Sequence, residues 1–301
     1  MPTANTLAPS LPRPRGALAL LLWTWFASGC ATAAIHAPST APKATPSKTI
    51  VLVHGMFMGP SCWSQWVPLL ESKGYRVLAP AWPAHEGSAA QARAAHPDPK
   101  LAALGLPEVL AHYRGVIASL DEKPILIGHS MGGLVVQILL SEGLASAAVA
   151  IDAAPPKGVF TLAGPFLKSN GRILRGSLDE PLDMDLERFA YVFTNQQSPA
   201  VQRAAWEQHA RPESRRLGRD ATKAAGRVDF GARRGPLLLL GGEHDHAVPP
   251  VIGRKTFRRY RKADALTEYR ELEGVDHWLI GSDRWREVAD LTLAWLERQG
   301  T

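Results

Sequence analysis

Cysteine is almost missing from this chain. Only Cys30 and Cys62 occur in 301 residues, with no C-x-x-C pair and no Cys/His ligand spacing. A disulfide framework and a zinc site are therefore not expected, and the fold must stand on a packed core. Strong charge of one sign is missing too. The net charge is +6, of which Arg13 and Arg15 lie in a segment read below as removable. So mild a balance does not imply a nucleic-acid partner. With 46% hydrophobic and 21% charged residues, the composition excludes a wholly disordered, collagen-like or polytopic membrane chain. The length leaves room for two small domains or one large α/β domain.

The N-terminus reads as an address. Arg13 and Arg15 precede the apolar run Ala17–Phe26, which is followed by Ala27, Ser28, Gly29 and Cys30. That run is about half the length of a membrane-spanning helix, so residues 1–29 read as an export signal. Small residues before a cysteine resemble a bacterial lipobox, with Ala27 where Leu is usual. Acylation of Cys30 would anchor the protein, and Ala31 after it points to the outer membrane. Ordinary cleavage after Ala33 is the alternative and gives a periplasmic or secreted protein; an uncleaved anchor is a third. Residues 30–47, rich in Ala, Pro, Ser and Thr, read as a flexible tether. Membrane contact is expected only through this anchor.

From Lys48 onward, short apolar runs alternate with helical patterns. Strands are expected at Thr49–Val53, Arg76–Pro80, Pro124–Ile127, Ala147–Ile151, Pro236–Leu240 and Leu266–Leu272. Most are continuous apolar runs, the pattern of parallel strands covered on both faces. Helices are expected at Ser61–Lys73, Pro107–Leu120, Met131–Gly143, Pro250–Lys262 and Arg284–Arg298. The alternation predicts an α/β fold with a mostly parallel, doubly wound sheet of about six strands. About eighty residues after Ile151 carry no buried-strand pattern. A structureless loop of that length is improbable, so a helical insertion over about 155–235 is expected, with helices at Leu186–Phe193 and Ala200–Ala210. Its basic stretch 211–234 reads as a solvated helical face, with an anionic-ligand site as the alternative.

After the third strand comes Gly128-His129-Ser130-Met131-Gly132-Gly133, a G-x-S-x-G pattern at a strand-to-helix junction. A nucleophilic serine needs this layout: the tight turn exposes its hydroxyl, the glycines relieve a Cβ clash, and the helix N-terminus aims amides at a developing oxyanion. His54-Gly55 directly after the first strand supplies the second such loop. The backbone N–H groups of Met56 and Met131 are the expected oxyanion donors. His54 itself is expected to be a buried hydrogen-bonding residue that shapes the loop.

Asp245, on the loop after the Pro236–Leu240 strand, is the expected acid, with Glu243 and then Asp152 as fallbacks. His277 in Gly274-Val275-Asp276-His277-Trp278 is the expected base. Neutral His277 would take the serine proton while Asp245 fixes its tautomer. The run Glu243-His244-Asp245-His246 could be mistaken for a metal site. Adjacent side chains do not readily converge on one ion, so no metal is expected. His85, His112, His129 and His209 read as surface or structural residues, and Cys62 as a small apolar packer.

His54-Gly55, Gly128–Gly133, the Asp245 loop and the His277 loop together resemble the α/β-hydrolase superfamily. The likeness runs over about residues 48–300, with two leading strands of the usual eight absent. The segment Val53–Trp63 is similar to that of small esterases and hydroxynitrile lyases, although no lysine suits the lyase chemistry. The eighty-residue insertion falls where the superfamily carries its cap. The resemblance implies a serine hydrolase of small-molecule esters or lactones, working without a cofactor through an acyl-enzyme. Phe57, Tyr191, Phe193, Trp206 and Trp278 are the expected substrate contacts. A peptidase or amidase, a cofactor-free perhydrolase, and a non-catalytic binding protein are the competing readings.

Overall fold

A computed structural model describes residues 47–300 except Lys262. The export signal, Cys30 and all of the tether but Ser47 lie outside the described residues. No described helix is long and apolar enough to cross a membrane.

Six strands form one sheet: β1 (Thr49–Val53), β2 (Arg76–Leu78), β3 (Ile125–His129), β4 (Ala147–Ile151), β5 (Leu237–Gly242) and β6 (Thr267–Leu272). Their order is β2-β1-β3-β4-β5-β6 and every pairing is parallel. The continuous apolar runs give strands β1, β3, β4 and β5, buried along their whole length. At one edge, β6 carries Glu268, Arg270 and Glu271. At the other, β2 is short and begins on exposed Arg76. Charge and brevity at an edge discourage further strand pairing.

The helices between strands are α1 (Trp66–Ser72), α2 (Ala89–Ala94), α3 (Pro99–Ala103), α4 (Leu106–Ala118), α5 (Met131–Ser141), α6 (Gly164–Leu174), α7 (Leu186–Val192), α8 (Pro199–His209), α9 (Arg215–Asp220) and α10 (Pro250–Tyr260), and α11 (Trp285–Gln299) follows β6. The helix expected at Ser61–Lys73 is broken in two: Pro60–Trp63 forms a separate short turn and α1 starts at Trp66. The α2 and α3 segments were not expected as helices. Their apolar spacing is poor, but each has a local start: Ser88 and Gln91 form a reciprocal cap and Asp98 caps α3. Helices α6 to α9 fill the segment between β4 and β5.

Strand order also says where a site must be. From β1 the chain steps one way to β2 and later the other way to β3. The loops leaving the C-terminal ends of β1 and β3 therefore diverge, and a crevice opens between them. Those loops are His54–Gly59 and the turn at Ser130.

Candidate active site

The turn at Ser130 is strained, with φ 55° and ψ −118°, a region costly for a residue with a Cβ. Its surroundings hold it there. The Ser130 amide donates to the Ile151 carbonyl (2.9 Å), and its own carbonyl accepts from Ala154 (2.8 Å). Packing leaves no choice at the flanking glycines. A Cβ on Gly128 would lie 2.2 Å from the Gly132 carbonyl oxygen, and one on Gly132 would lie 2.2 Å from that of Val53. Helix α5 thus starts in direct backbone contact with the end of β1, and a Cβ on Gly55 would lie 2.7 Å from that of Ser130, so the His54–Gly59 loop lies against the serine turn. Neither the Met56 nor the Met131 amide has an acceptor among the described residues.

Asp245 and His277 come from the loops after β5 and β6. His277 Nδ1 lies 2.7 Å from Asp245 Oδ2. The other oxygen, Oδ1, accepts from the Ala247 and Val248 amides, each at 2.7 Å. A carboxylate so engaged can only accept, so Nδ1 carries the proton and Nε2 presents a lone pair. Nε2 has no hydrogen-bond partner in the described protein, and Ser130 and His277 line the same cavity. Nε2 and the Ser130 hydroxyl make no hydrogen bond to each other.

Two buried residues lie under this pair. His129 Nε2 sits 2.9 Å from the His277 carbonyl oxygen, which can only accept, so this nitrogen is the donor. Burial, then the neighbouring His277, pushes His129 well below its ordinary pKa; it stays neutral and fixes the His277 backbone. Asp152, at the end of β4, accepts from the Gly242 amide at 2.7 Å. Its second oxygen is 3.9 Å from His277 Nδ1 and has no hydrogen-bond partner. Burial, then the negative charge of Asp245, pushes its pKa well above the usual carboxylate range. Of the three candidate acids, Asp245 is therefore the one bonded to His277. Glu243 instead accepts from the Gly274 amide.

His54 is fully buried, stacked on Trp82 with 4.3 Å between ring centroids. Its Nε2 accepts from the Trp82 amide (3.3 Å) and its Nδ1 faces the Gly55 carbonyl (3.0 Å). Burial, then nearby His85, holds its pKa well below the ordinary value. Cys62 is buried with its thiol pushed up by burial.

The cavity measures about 330 Å³, and most of its wall comes from the insertion and is apolar. Phe57 and Phe193 line it, as expected from sequence. Tyr191, Trp206 and Trp278 do not. The Tyr191 carbonyl meets His246 Nδ1 (2.9 Å) while its ring lies under Lys168. Trp206 donates to the Met184 carbonyl (2.7 Å) with its ring against Arg93. Buried Trp278 packs on His209 and Phe189. Each aromatic is spent on holding the insertion together. Lys157, by contrast, lines the cavity, where no lysine was expected; it is exposed, at the outer end of the wall.

The basic stretch also needs correction. Arg211, Arg215 and Arg234 are buried, and their guanidinium N–H groups donate to backbone carbonyls. Arg211 donates to the carbonyls of His85 (2.5 Å) and Gly87 (2.8 Å). Arg215 donates to those of Arg172 and Arg175, and Arg219 to those of Ile173 (3.0 Å) and Gly176 (2.8 Å). These are the otherwise unpaired carbonyls at the C-terminus of α6, where positive charge is favoured.

A residue the sequence did not single out ties the insertion to the His54–Gly59 loop. Glu213 is fully buried and accepts from the Phe57 amide (3.2 Å), the Ser214 amide (2.6 Å) and His85 Nε2 (3.1 Å). The Arg211 amide donates to the Phe57 carbonyl at 3.1 Å. Phe57, at φ 63°, is thereby held on both sides of its backbone, one residue after Met56. No motif marks such a carboxylate; only its spatial partners do.

A doubly wound parallel sheet with a serine turn at its switch point, faced by an acid–histidine pair, defines the class: this is an α/β-hydrolase fold. The chain belongs to the Alpha/beta hydrolase family, which it matches over residues 50–291. It is 33% identical over 172 residues to polyneuridine aldehyde esterase of Rauvolfia serpentina, 54% of this chain and 57% of that protein. A pyrethroid hydrolase of Sphingobium wenxiniae is 31% identical over 84 residues, 28% of this chain and 27% of that one. The chain thus spans little more than half, and about a quarter, of the curated relatives it matches. Among solved structures, polyneuridine aldehyde esterase superposes with a TM-score of 0.60 at 25% identity, covering 82% of this chain and 98% of that one. A monoacylglycerol lipase of Paleococcus ferrophilus does so at 0.61 and 24%, covering 85% and 96%, which speaks for the fold alone.

Proposed function

We propose that this protein hydrolyses carboxylic esters or lactones of small to medium size through an acyl-enzyme on Ser130. One observation carries the reading: a strained serine and a histidine with a bare Nε2, itself bonded to Asp245, open on one apolar cavity. The similarity to polyneuridine aldehyde esterase supports it.

In this reading Ser130 Oγ attacks the ester carbonyl as its proton passes to His277 Nε2. The carbonyl oxygen becomes an oxyanion and accepts from the Met56 and Met131 amides, each such donor being worth about 3 kcal/mol. The imidazolium, stabilised by Asp245, returns the proton to the departing alkoxide. Water then repeats the sequence: Nε2 takes its proton, the hydroxide attacks the acyl carbonyl, and the carboxylic acid leaves as Ser130 is re-protonated. Apolar walls suit an acyl or hydrocarbon group. Export, with Cys30 as lipid attachment, belongs to the same proposal; an unmodified Ala34 as the mature N-terminus would refute the lipid attachment and leave export standing.

The test is labelling by a fluorophosphonate with turnover of p-nitrophenyl esters. Ser130→Ala is expected to abolish labelling and lower kcat/KM by about 10⁴-fold or more, with an unchanged melting transition. Labelling of the variant at the parent's level would overturn the mechanism. Turnover of aminoacyl anilides in preference to esters would reassign the same site to amide bonds.

A further inference from the structure

Five large apolar side chains are exposed among the described residues, and four of them fall within fifteen positions: Phe160, Leu162, Leu167 and Leu174, at 59%, 71%, 43% and 51% exposure. They belong to the loop before α6 and to α6 itself. Phe160, Leu167 and Leu174 also line the cavity that holds Ser130 and His277. The apolar wall therefore continues out of the cavity onto the surface. An exposed apolar patch of this kind marks a contact site.

Charge says what sort of surface it meets. Between Ala153 and Leu178 there is no Asp or Glu, but there are Lys157, Lys168, Arg172 and Arg175. Arg172 pairs with Asp183 (3.2 Å) and Lys168 lies over the Tyr191 ring. Lys157 and Arg175 have no carboxylate partner among the described residues. On α6, Leu167 and Leu174 are seven apart and share a face, with Lys168 and Arg172 on the neighbouring stripe and Arg175 directly after the helix. Leucines outward with cations beside them are the pattern of a helix lying in a lipid interface. The helix is fixed in that pose by Arg215 and Arg219 at its C-terminus and by Asn170, which donates to the Ala247 carbonyl at 2.9 Å. Lys255 holds the loop through the Phe160 carbonyl at 2.6 Å.

We propose that residues 157–175 seat the protein on an anionic lipid surface, with the cavity mouth facing the lipid. A lipid ester can then pass its acyl chain between Phe160, Leu167 and Leu174 toward Ser130 without crossing water. This second clause rests on the ester-hydrolysis reading, whereas the docking does not.

The test places an environment-sensitive fluorophore at Leu162→Cys in the full chain carrying Cys30→Ser, so that no acyl group contributes; Cys62 is buried and does not label. A second label at exposed Asp290→Cys on α11 is the control. Vesicles of phosphatidylcholine with phosphatidylglycerol are expected to blue-shift the 162 label and not the 290 label, with little effect from phosphatidylcholine alone. Arg175→Glu should require about tenfold more lipid for the same shift, and added salt should weaken the response. Leu162→Asp should lower turnover of a vesicle-borne lipid ester while leaving p-nitrophenyl acetate unaffected. A 162 label that stays water-like, responds equally to neutral vesicles, or becomes shielded by self-association without lipid would overturn the docking. If the label inserts but no ester is cleaved, the ester reading fails and the docking stands.

Discussion

The sheet side and the insertion side of the cavity are held in opposite ways. On the sheet side, backbone touches backbone: Gly128 and Gly132 leave no room for one carbon atom, and strand ends fix Ser130, Asp245 and His277. On the insertion side, long charged side chains reach across gaps to backbone groups, as with Glu213, Arg211, Arg215 and Arg219. The first arrangement is rigid because atoms are in contact. The second rests on charged side chains, of which Glu213, Arg211 and Arg215 are buried, and their bonds hold only while their partners are present. Ser130, Asp245 and His277 thus sit on the stiffer wall, and the wall that supplies most of the cavity lining is built from exchangeable bonds.

The comparison breaks most readily at Gly132. Gly132→Ala is expected to cost about 3 kcal/mol or more, seen as a lower urea midpoint with an unchanged slope. A variant as stable as the parent would mean that α5 can retreat from β1. On the other wall, Glu213→Ala strips acceptors from the Phe57 amide and His85 and should cost about 2–4 kcal/mol. Because the Phe57 peptide follows Met56, kcat should fall more than KM changes; an effect on KM alone would confine Glu213 to holding the insertion.

Asp152 sharpens the contrast through pH. Its folded pKa is raised by burial and then by Asp245, so the folded state keeps a proton that the unfolded chain releases. Stability therefore falls as pH climbs from the ordinary carboxylate value toward the raised one. Asp152→Asn removes that loss. Its melting temperature should match the parent's in acid and exceed it increasingly toward neutral pH; a gap that narrows with rising pH would reverse the assignment. Smallest is Gly171→Ala within α6, where a Cβ would meet nothing within 4 Å. It should stabilise by about 0.5–1 kcal/mol, the opposite sign to Gly132→Ala.

The same contrast explains what could be read from the sequence. The central strands were legible because burial on both faces leaves an uninterrupted apolar run, and G-x-S-x-G was legible because a tight turn needs glycine at set positions. The pairing of His277 with Asp245 followed from chain order, although Asp152 lies close enough that only the distances separate the two acids. The insertion was legible as a helical stretch and no further. Arginine in sequence signals solvent, and here Arg211 and Arg215 are buried against carbonyls from segments far along the chain. Aromatics signal a pocket or a core alike, and Tyr191, Trp206 and Trp278 serve as core.

The grip on Phe57 has a consequence for how this chain can change. Its peptide is bonded on one side by Glu213 and on the other by Arg211, so the insertion is not an interchangeable module. Grafting a segment over residues 155–235 that lacks a carboxylate at the Glu213 position would orphan the Phe57 amide and His85 together. The cavity is reshaped more easily by single substitutions along its wall, such as at Met184, Val192 or Gly218, than by recombination, unless residues 54–59 and 85 travel with the graft.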